Sequence, residues 1–536
     1  MIKRILSLIL AAGLLLALCA CDGGGGASGG VSSVTSKPTE PDEPTTLLQR
    51  QPAKLGNMAM QSMFYHPQQA DTVYLVDITH ATKGEVATLR CLQGLVARNS
   101  SAAIYLYSDE VDLYWRDYLT AEYGVYFTAA DTAKLLQVFA DCYSGVAVYG
   151  SGDYEFVLAA CLAGQTDRVI MSRAVYEQHA DLFRQEEVLQ VSGLATTADE
   201  AYDYIYSNLL TKANKNYVAL CNEQTPFLDY IIASGCLCVD SMQRLMTAAR
   251  HVAACVDAQL PAVAFLDEQP AADTLAELSG IGFSAMDINS LTNTTLFSSV
   301  QVRQIDAYTT SPALGAEAGN VYVAITLAAD GVHTPQQEVT ALWNERSSIT
   351  RVSTEFCPAL YELAPVIVNW YMLNCTSTDN LVAPHCGWSA VDAGKMPEQH
   401  YNQWNMLNNY FLQVCGIRTV ANCVVSSAEQ LEIIGKDSVA EGFVVPHKVL
   451  QAADKTAELP AAVGYVDIAT IEGLTEWLSG LQADEAAPQF YVVRLQPNEY
   501  DAEIYRQIDA VAANANLASG GIFKFVMVDD LIVAQK

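Results

Sequence analysis

Three acidic residues in the C-terminal half, Asp330, Glu355 and Asp392, stand where carboxyl chemistry could be staged. Hydrolysis of a glycosidic bond uses two such groups, one protonated to assist the leaving oxygen and one ionised as nucleophile or base. Asp330 ends the apolar run of NVYVAITLAADGVHTP and precedes Gly331, which lets the backbone turn sharply. Glu355 lies inside STEFC, where an acid in a buried strand must be paired or face a site. Asp392 follows in the loop GWSAVDAG. Trp388 and Tyr401 could supply flat apolar faces for sugar rings, and His333 and His385 could donate hydrogen bonds or exchange protons. Each residue also has a plainer reading: a turn-forming Asp-Gly, a strand-end acid, a loop aspartate, core aromatics. No Ser-His-Asp set with a nucleophile elbow, phosphate-binding glycine loop, CxxC pair or zinc-like His-Cys spacing occurs. No cofactor and no metal site are expected.

The elements needed to position these residues are legible around them. Val321–Leu327 reads as a buried strand, broken at Asp330-Gly331 and followed by an amphipathic helix containing Val339, Leu342 and Trp343. Further strands are expected at Val352–Cys357, Leu381–Pro384, Arg418–Cys423, Gly442–Val445, Phe490–Leu495 and Phe523–Val528. Helices are expected at Glu398–Cys415, Ile471–Leu481 and Glu503–Ala515. Such alternation over residues 318–536 suits a (β/α) barrel-like domain, although an open doubly wound sheet has the same periodicity. In either fold the loops after the strands share one face, where Asp330, Glu355, His385, Trp388 and Asp392 would gather. Upstream, strand–helix alternation marks three small α/β units, 60–130, 131–211 and 212–300, opened by strands such as VYLVDI, GVAVYG and YVALCN. The polar, Thr- and Ser-rich segment Leu291–Glu317 reads as the connection into the last domain. The fold class is α/β.

Two stretches carry a resemblance. VYLVDITHATKGEVATLRCLQGLVARNSSAAIYLY (Val73–Tyr107), most specifically at LQGLVAR, resembles the first domain of the GxGYxYP family. The Asp-Gly turn followed by PALYELAP (Pro358–Pro365) resembles that family's C-terminal domain. Cys386-Gly387-Trp388-Ser389-Ala390-Val391 stands where its signature Gly, Gly, Tyr, Tyr and Pro are expected, and Val332-His333 where Asp-Asn is usual. The resemblance implies a barrel-like domain and a glycoside hydrolase acting on an extracellular carbohydrate. Asp330 would be paired with either Glu355 or Asp392. The altered signature also suits a carbohydrate- or solute-binding protein without catalysis.

The start of the chain reads as an address. Lys3 and Arg4 precede an apolar run, Ile5–Leu18, then Leu18-Cys19-Ala20-Cys21. This describes a secretory signal over residues 1–21, and its Leu-x-Ala-Cys resembles a lipoprotein cleavage box in which Cys21 is lipidated. An ordinary cleaved signal with a free cysteine is the alternative. Residues 22–52, rich in Gly, Ser, Thr, Pro and Glu, cannot bury enough surface to fold and are expected to be a tether. The chain is thus expected at the outer face of the bacterial cell membrane, held by its lipid anchor, with a carbohydrate as substrate or ligand. A formal charge of −31 argues against nucleic acid as a partner. Fourteen cysteines, most within apolar runs, point to core packing rather than a disulfide framework.

Overall fold

The computed structural model describes residues 63–255, 261–267, 270–288, 291–302, 315–328, 349–376, 379–421, 424–452, 460–496 and 503–534. All of them fall in one compact unit, Leu48–Lys536. Three small sheets come first. β1 (Thr72–Asp77), β2 (Ala102–Tyr107) and β3 (Phe127–Ala129) are ordered β2-β1-β3. β4 (Gly145–Tyr149), β5 (Arg168–Ser172) and β6 (Val188–Gln190) are ordered β5-β4-β6. β7 (Tyr217–Leu220), β8 (Leu237–Val239), β9 (Ala262–Leu266) and β10 (Phe283–Asp287) are ordered β10-β9-β7-β8. Every pairing is parallel. The strands read as unbroken apolar runs because helices cover them; β4, GVAVY, is buried at all five residues.

One helix, Lys83–Asn99, knits the sheets together. It is started by Thr82, whose side chain accepts from the Glu85 N–H, and eleven of its residues are buried. Within it, the three residues of LQGLVAR that are not simple aliphatic side chains, Gln93, Gly94 and Arg98, each have a structural explanation. The Gln93 amide donates to the Ile104 carbonyl of β2 at 2.8 Å and to Asn293 at 2.7 Å. Gly94 meets the helix Leu228–Ser234 so closely that a Cβ would lie 2.3 Å from the Asp229 carbonyl oxygen. Arg98 donates to the carbonyls of Gly164 and Ile232 at 2.7 and 3.2 Å and pairs with Asp167, tying off the ends of two neighbouring helices. The motif is architecture.

The C-terminal part is a parallel barrel. β11 (Val321–Leu327), β12 (Val352–Glu355), β13 (Asp379–Val382), β14 (Thr419–Val420), β15 (Gly442–Pro446), β16 (Ala462–Ile468) and β17 (Gln489–Leu495) follow one another round the ring, and β17 returns to β11. The ring closes between β13 and β14, where the Ala383 N–H donates to Thr419 and the Ala421 N–H donates to Ala383, at 3.0 and 2.7 Å. β18 (Phe523–Val526) is wedged beside the first half of β11, and β12 beside the second half. The chain then enters the barrel as the helix Val528–Ala534. Val528, Leu531 and Ile532 pack in the lumen with Tyr322, Ala324, Val382, Ala421, Val444, Val463, Tyr465, Val492 and Val526. This is the barrel floor.

Five of the seven expected C-terminal strands match closely, β13 starts and ends two residues before the expected Leu381–Pro384, and β14 is cut to two residues. β16 was missed: in AVGYVDI a glycine and an aspartate interrupt the apolar pattern. The connecting segment is packed where it is described. Residues 291–302 are largely buried and include a short helix, Thr294–Phe297. Several of their polar side chains are bonded internally: Thr295 bonds Asp229 through N–H and hydroxyl, both at 2.8 Å, and Asn293 bonds the backbone of Leu106. Polarity there marks hydrogen bonding, not exposure. The Asp330-Gly331 turn and the helix expected after it lie outside the described residues.

Candidate active site

Inward and outward residues alternate along each barrel strand. The lumen-facing set established by Tyr322, Ala324, Val382, Val444, Tyr465 and Val492 therefore continues upward to Thr326, Ser353, Glu355, Asn380, Asp467 and Arg494. Register places these side by side. Asp467 pairs with Arg494, Arg494 with Thr326, Thr326 with Ser353, and Ser353 with Asn380, across four strand contacts. A barrel interior is ordinarily filled by branched apolar layers. Here a polar belt replaces one such layer at the C-terminal mouth.

The belt has two halves. On one side Ser353 donates to Asn380 at 2.8 Å and accepts from the Val528 N–H at 3.1 Å, while Thr419 donates to Asp529 at 2.6 Å. Burial raises the Asp529 carboxyl pKa, against the bond from Thr419 and the charge of Arg418. These groups satisfy one another and fasten the floor helix. On the other side Arg494, 4 % exposed, donates from Nε and Nη2 to the two oxygens of Glu355 at 2.7 and 3.2 Å. A carboxylate held by such a fork accepts with both oxygens and serves as an anion. Turned oxygen-first, the Gln496 amide accepts from both terminal nitrogens of Arg494. Asp467 lies 3.6 Å from Nη1, its side chain 55 % exposed, so the mouth opens on its side. Thr326, 1 % exposed, holds its hydroxyl in the belt with no hydrogen-bond partner.

Two carboxylates thus share one guanidinium. With contacts of 2.7 Å and 3.6 Å to one rigid planar group, their nearest oxygens are no more than roughly 9 Å apart, short of the upper limit of about 9.5 Å for a glycosidic carboxyl pair. Glu355 is held by the fork through both oxygens, whereas Asp467 stands at the water-exposed edge of the same guanidinium.

The other expected site residues lie elsewhere. Asp330 and His333 fall outside the described residues. Asp392 accepts from the Gly394 N–H at 3.0 Å and from Gln430, holding a turn against the helix Ala428–Lys436. His385 is 4 % exposed with a left-handed backbone (φ 55°). Trp388 is fully enclosed, edge-on to Phe64 at 6.1 Å, its indole N–H donating to the Trp404 carbonyl at 3.3 Å. Neither presents a face to a sugar, which corrects the stacking role expected for Trp388. The physical reason is that this loop is a docking element: Ala390 exchanges backbone bonds with Ala285 of β10 at 2.8 and 2.9 Å. Gly387 (φ 136°) sits where a Cβ would meet Asn408 at 1.8 Å. Tyr401 donates to Ile433 at 3.1 Å and edges a separate cavity of about 400 Å³ between the helices Glu398–Val414 and Ala428–Lys436. Sequence reading missed Thr326, Asp467 and Arg494. The signal was available for Arg494, a charge inside the apolar run QFYVVRL. Among the described residues no group of three or more His, Cys, Asp or Glu is placed to hold a metal ion, and no helix is long and apolar enough to cross a membrane.

Comparison with known proteins agrees with this architecture. Residues 72–141 match the family model of the GxGYxYP N-terminal 1st domain, in agreement with the resemblance seen at LQGLVAR. No curated protein matches the chain. The chain is similar in fold to a crystal structure of a "putative hydrolase" from Bacteroides thetaiotaomicron VPI-5482, with a TM-score of 0.74 at 14% identity, over 91% of this chain and 98% of that one.

Proposed function

We propose that this chain is a hydrolase that cleaves glycosidic bonds of an oligo- or polysaccharide at the mouth of its barrel. The observation that carries the reading is the shared guanidinium: Arg494 forks onto both oxygens of the buried Glu355 and lies 3.6 Å from the exposed Asp467. Asp467, exposed to water, is the proton donor and acceptor. Glu355 stabilises the positive charge that develops on the sugar ring in the transition state. The hydrolase description of the Bacteroides protein and the match to the GxGYxYP first domain support this. The test is reducing-sugar release from a panel of polysaccharides by the soluble chain starting at Gln51. Asp467→Asn should lower turnover about 10²- to 10⁴-fold, the usual contribution of a positioned acid–base group. Undiminished release would remove Asp467 from the chemistry.

A second reading has its own support. Both oxygens of Glu355 already accept from Arg494, a geometry equally fit for a site that binds a carbohydrate and leaves it intact. Binding without release, by the parent chain and the variant alike, would decide for it. We further propose that the protein is exported and lipid-anchored through Cys21. Fatty-acid labelling that is lost in Cys21→Ala would bear this out, and labelling retained in the variant would refute it.

A further inference from the structure

We propose that the cleft between the helices Glu398–Val414 and Ala428–Lys436 binds a small linear polyamine, a methylene chain that carries several ammonium groups. The cleft shares no residue with the belt at the barrel mouth, so its occupancy does not depend on the hydrolase reading. Its volume of about 400 Å³ falls within the range of roughly 300–1,000 Å³ usual for small-molecule sites. Helical spacing builds both walls. On one helix Glu398, Tyr401 and Asn402 share a face at i, i+3 and i+4. On the other, Glu429, Glu432, Ile433 and Lys436 do so at i, i+3, i+4 and i+7.

The two walls are already tied together. The Tyr401 hydroxyl donates to the Ile433 carbonyl at 3.1 Å, and Trp404 braces the tyrosine ring at a centroid distance of 5.8 Å. Ala393 and Met396, both buried, add to an apolar lining along which a methylene chain can lie. The aromatic ring of Tyr401 attracts an ammonium group placed over it.

The charges select the ligand. Glu398 and Glu429 stand in the first turns of their helices and Lys436 in a last turn, where the helix dipole favours each of them. Glu432 has no such explanation. It is spaced i, i+4 from Lys436, as in a helix ion pair, yet among the described residues none of these four side chains joins a salt bridge or hydrogen bond. Three carboxylates therefore line one cleft together with a single ammonium, and a ligand with several positive charges relieves their repulsion. Among the described residues no group of acids closes around a point where a metal ion could sit, so the match is to charge spread along a chain. Glu429 and Glu432 are about 4.5 Å apart along the helix axis, comparable with the reach of a propylene linker. The net charge of −31 on the chain favours the approach of cations.

The experiment is calorimetric titration of spermidine into the full-length protein in mild detergent, at about 0.15 M salt to screen attraction beyond about 8 Å. Saturable binding at one site is expected. Glu429→Gln/Glu432→Gln should weaken it about tenfold, the upper part of the range for two exposed ion pairs. Glu472→Gln/Glu476→Gln removes the same charge from exposed positions on the helix Ile471–Ser479 and should leave the affinity unchanged. Lys436→Gln should tighten binding. Magnesium ions at the concentration of spermidine should not displace it, because they carry charge without an apolar body. Titration without saturation would overturn the inference, as would equal losses from the two glutamate pairs, looser binding by Lys436→Gln, or displacement by magnesium. Each of these would mean attraction to the acidic surface at large rather than to this cleft.

Discussion

Replacing Arg494 by methionine gives a severe and quantifiable test of the mouth. The side chain is 4 % exposed and its partner carboxylate is wholly enclosed, so little solvent screening softens the loss. Removal breaks two charge-assisted bonds, at 2.7 and 3.2 Å, each worth about 1.5–3 kcal/mol. It also takes the guanidinium away from a buried carboxylate, and truncating one partner of such a pair costs about 3–5 kcal/mol. The double variant Arg494→Met/Glu355→Leu removes both charges and should recover most of that loss, because an apolar pair of similar volume is often neutral in a core. Urea denaturation followed by tryptophan fluorescence and by circular dichroism would read the four corners of the cycle. A coupling energy above about 2 kcal/mol is expected for residues in direct contact. If Arg494→Met costs less than about 1 kcal/mol, or the double variant is as unstable as the single, the pair is not the buried unit described above and the assignment of roles at the mouth fails with it.

Two further outcomes follow from the packing. Gly94→Ala would press a methyl group against the Asp229 backbone oxygen, 2.3 Å from its ideal Cβ, so the two helices must separate at a cost of about 1–3 kcal/mol, measured as a lowered melting temperature. Burial alone would lower the pKa of His66, but the bond to Glu362 at 3.4 Å and its charge outweigh this and raise it. A raised folded pKa means that this clasp is fully present below the unfolded value near 6.5 and is lost as pH rises through the folded one. Stability should therefore fall across neutral pH, and His66→Asn should flatten that slope in a pH series of denaturation midpoints; a slope equally steep in the variant would rule the clasp out.

Much of the fold was legible because its causes are local. The barrel strands announce themselves as apolar runs because covered parallel strands bury both faces. Helix starts such as Thr82 carry their own capping residues. The site was harder to read, and the reasons are specific. Glu355 stood out correctly as an acid that a buried strand must explain, yet its explanation, Arg494, is 139 residues away, and only closure of the ring brings β17 beside β11. Asp467 went unnoticed together with its strand, since AVGYVDI lacks a clean apolar period. Trp388 misled in the opposite direction. Beside a glycine in a polar loop it reads as an exposed platform, but that loop is itself buried against β10, a contact between distant parts of the chain that composition does not foreshadow.

The floor of the barrel has a consequence for how the molecule is made. The helix Val528–Ala534 fills the lumen and comes after all seven ring strands in chain order. During vectorial synthesis the three small sheets can fold as they emerge, whereas the ring cannot complete its interior until this helix has appeared. Asn380, Ser353 and Thr419 lie on strands made well before Val528 and Asp529, the groups that contact them. The half-belt beneath the mouth is thus assembled late.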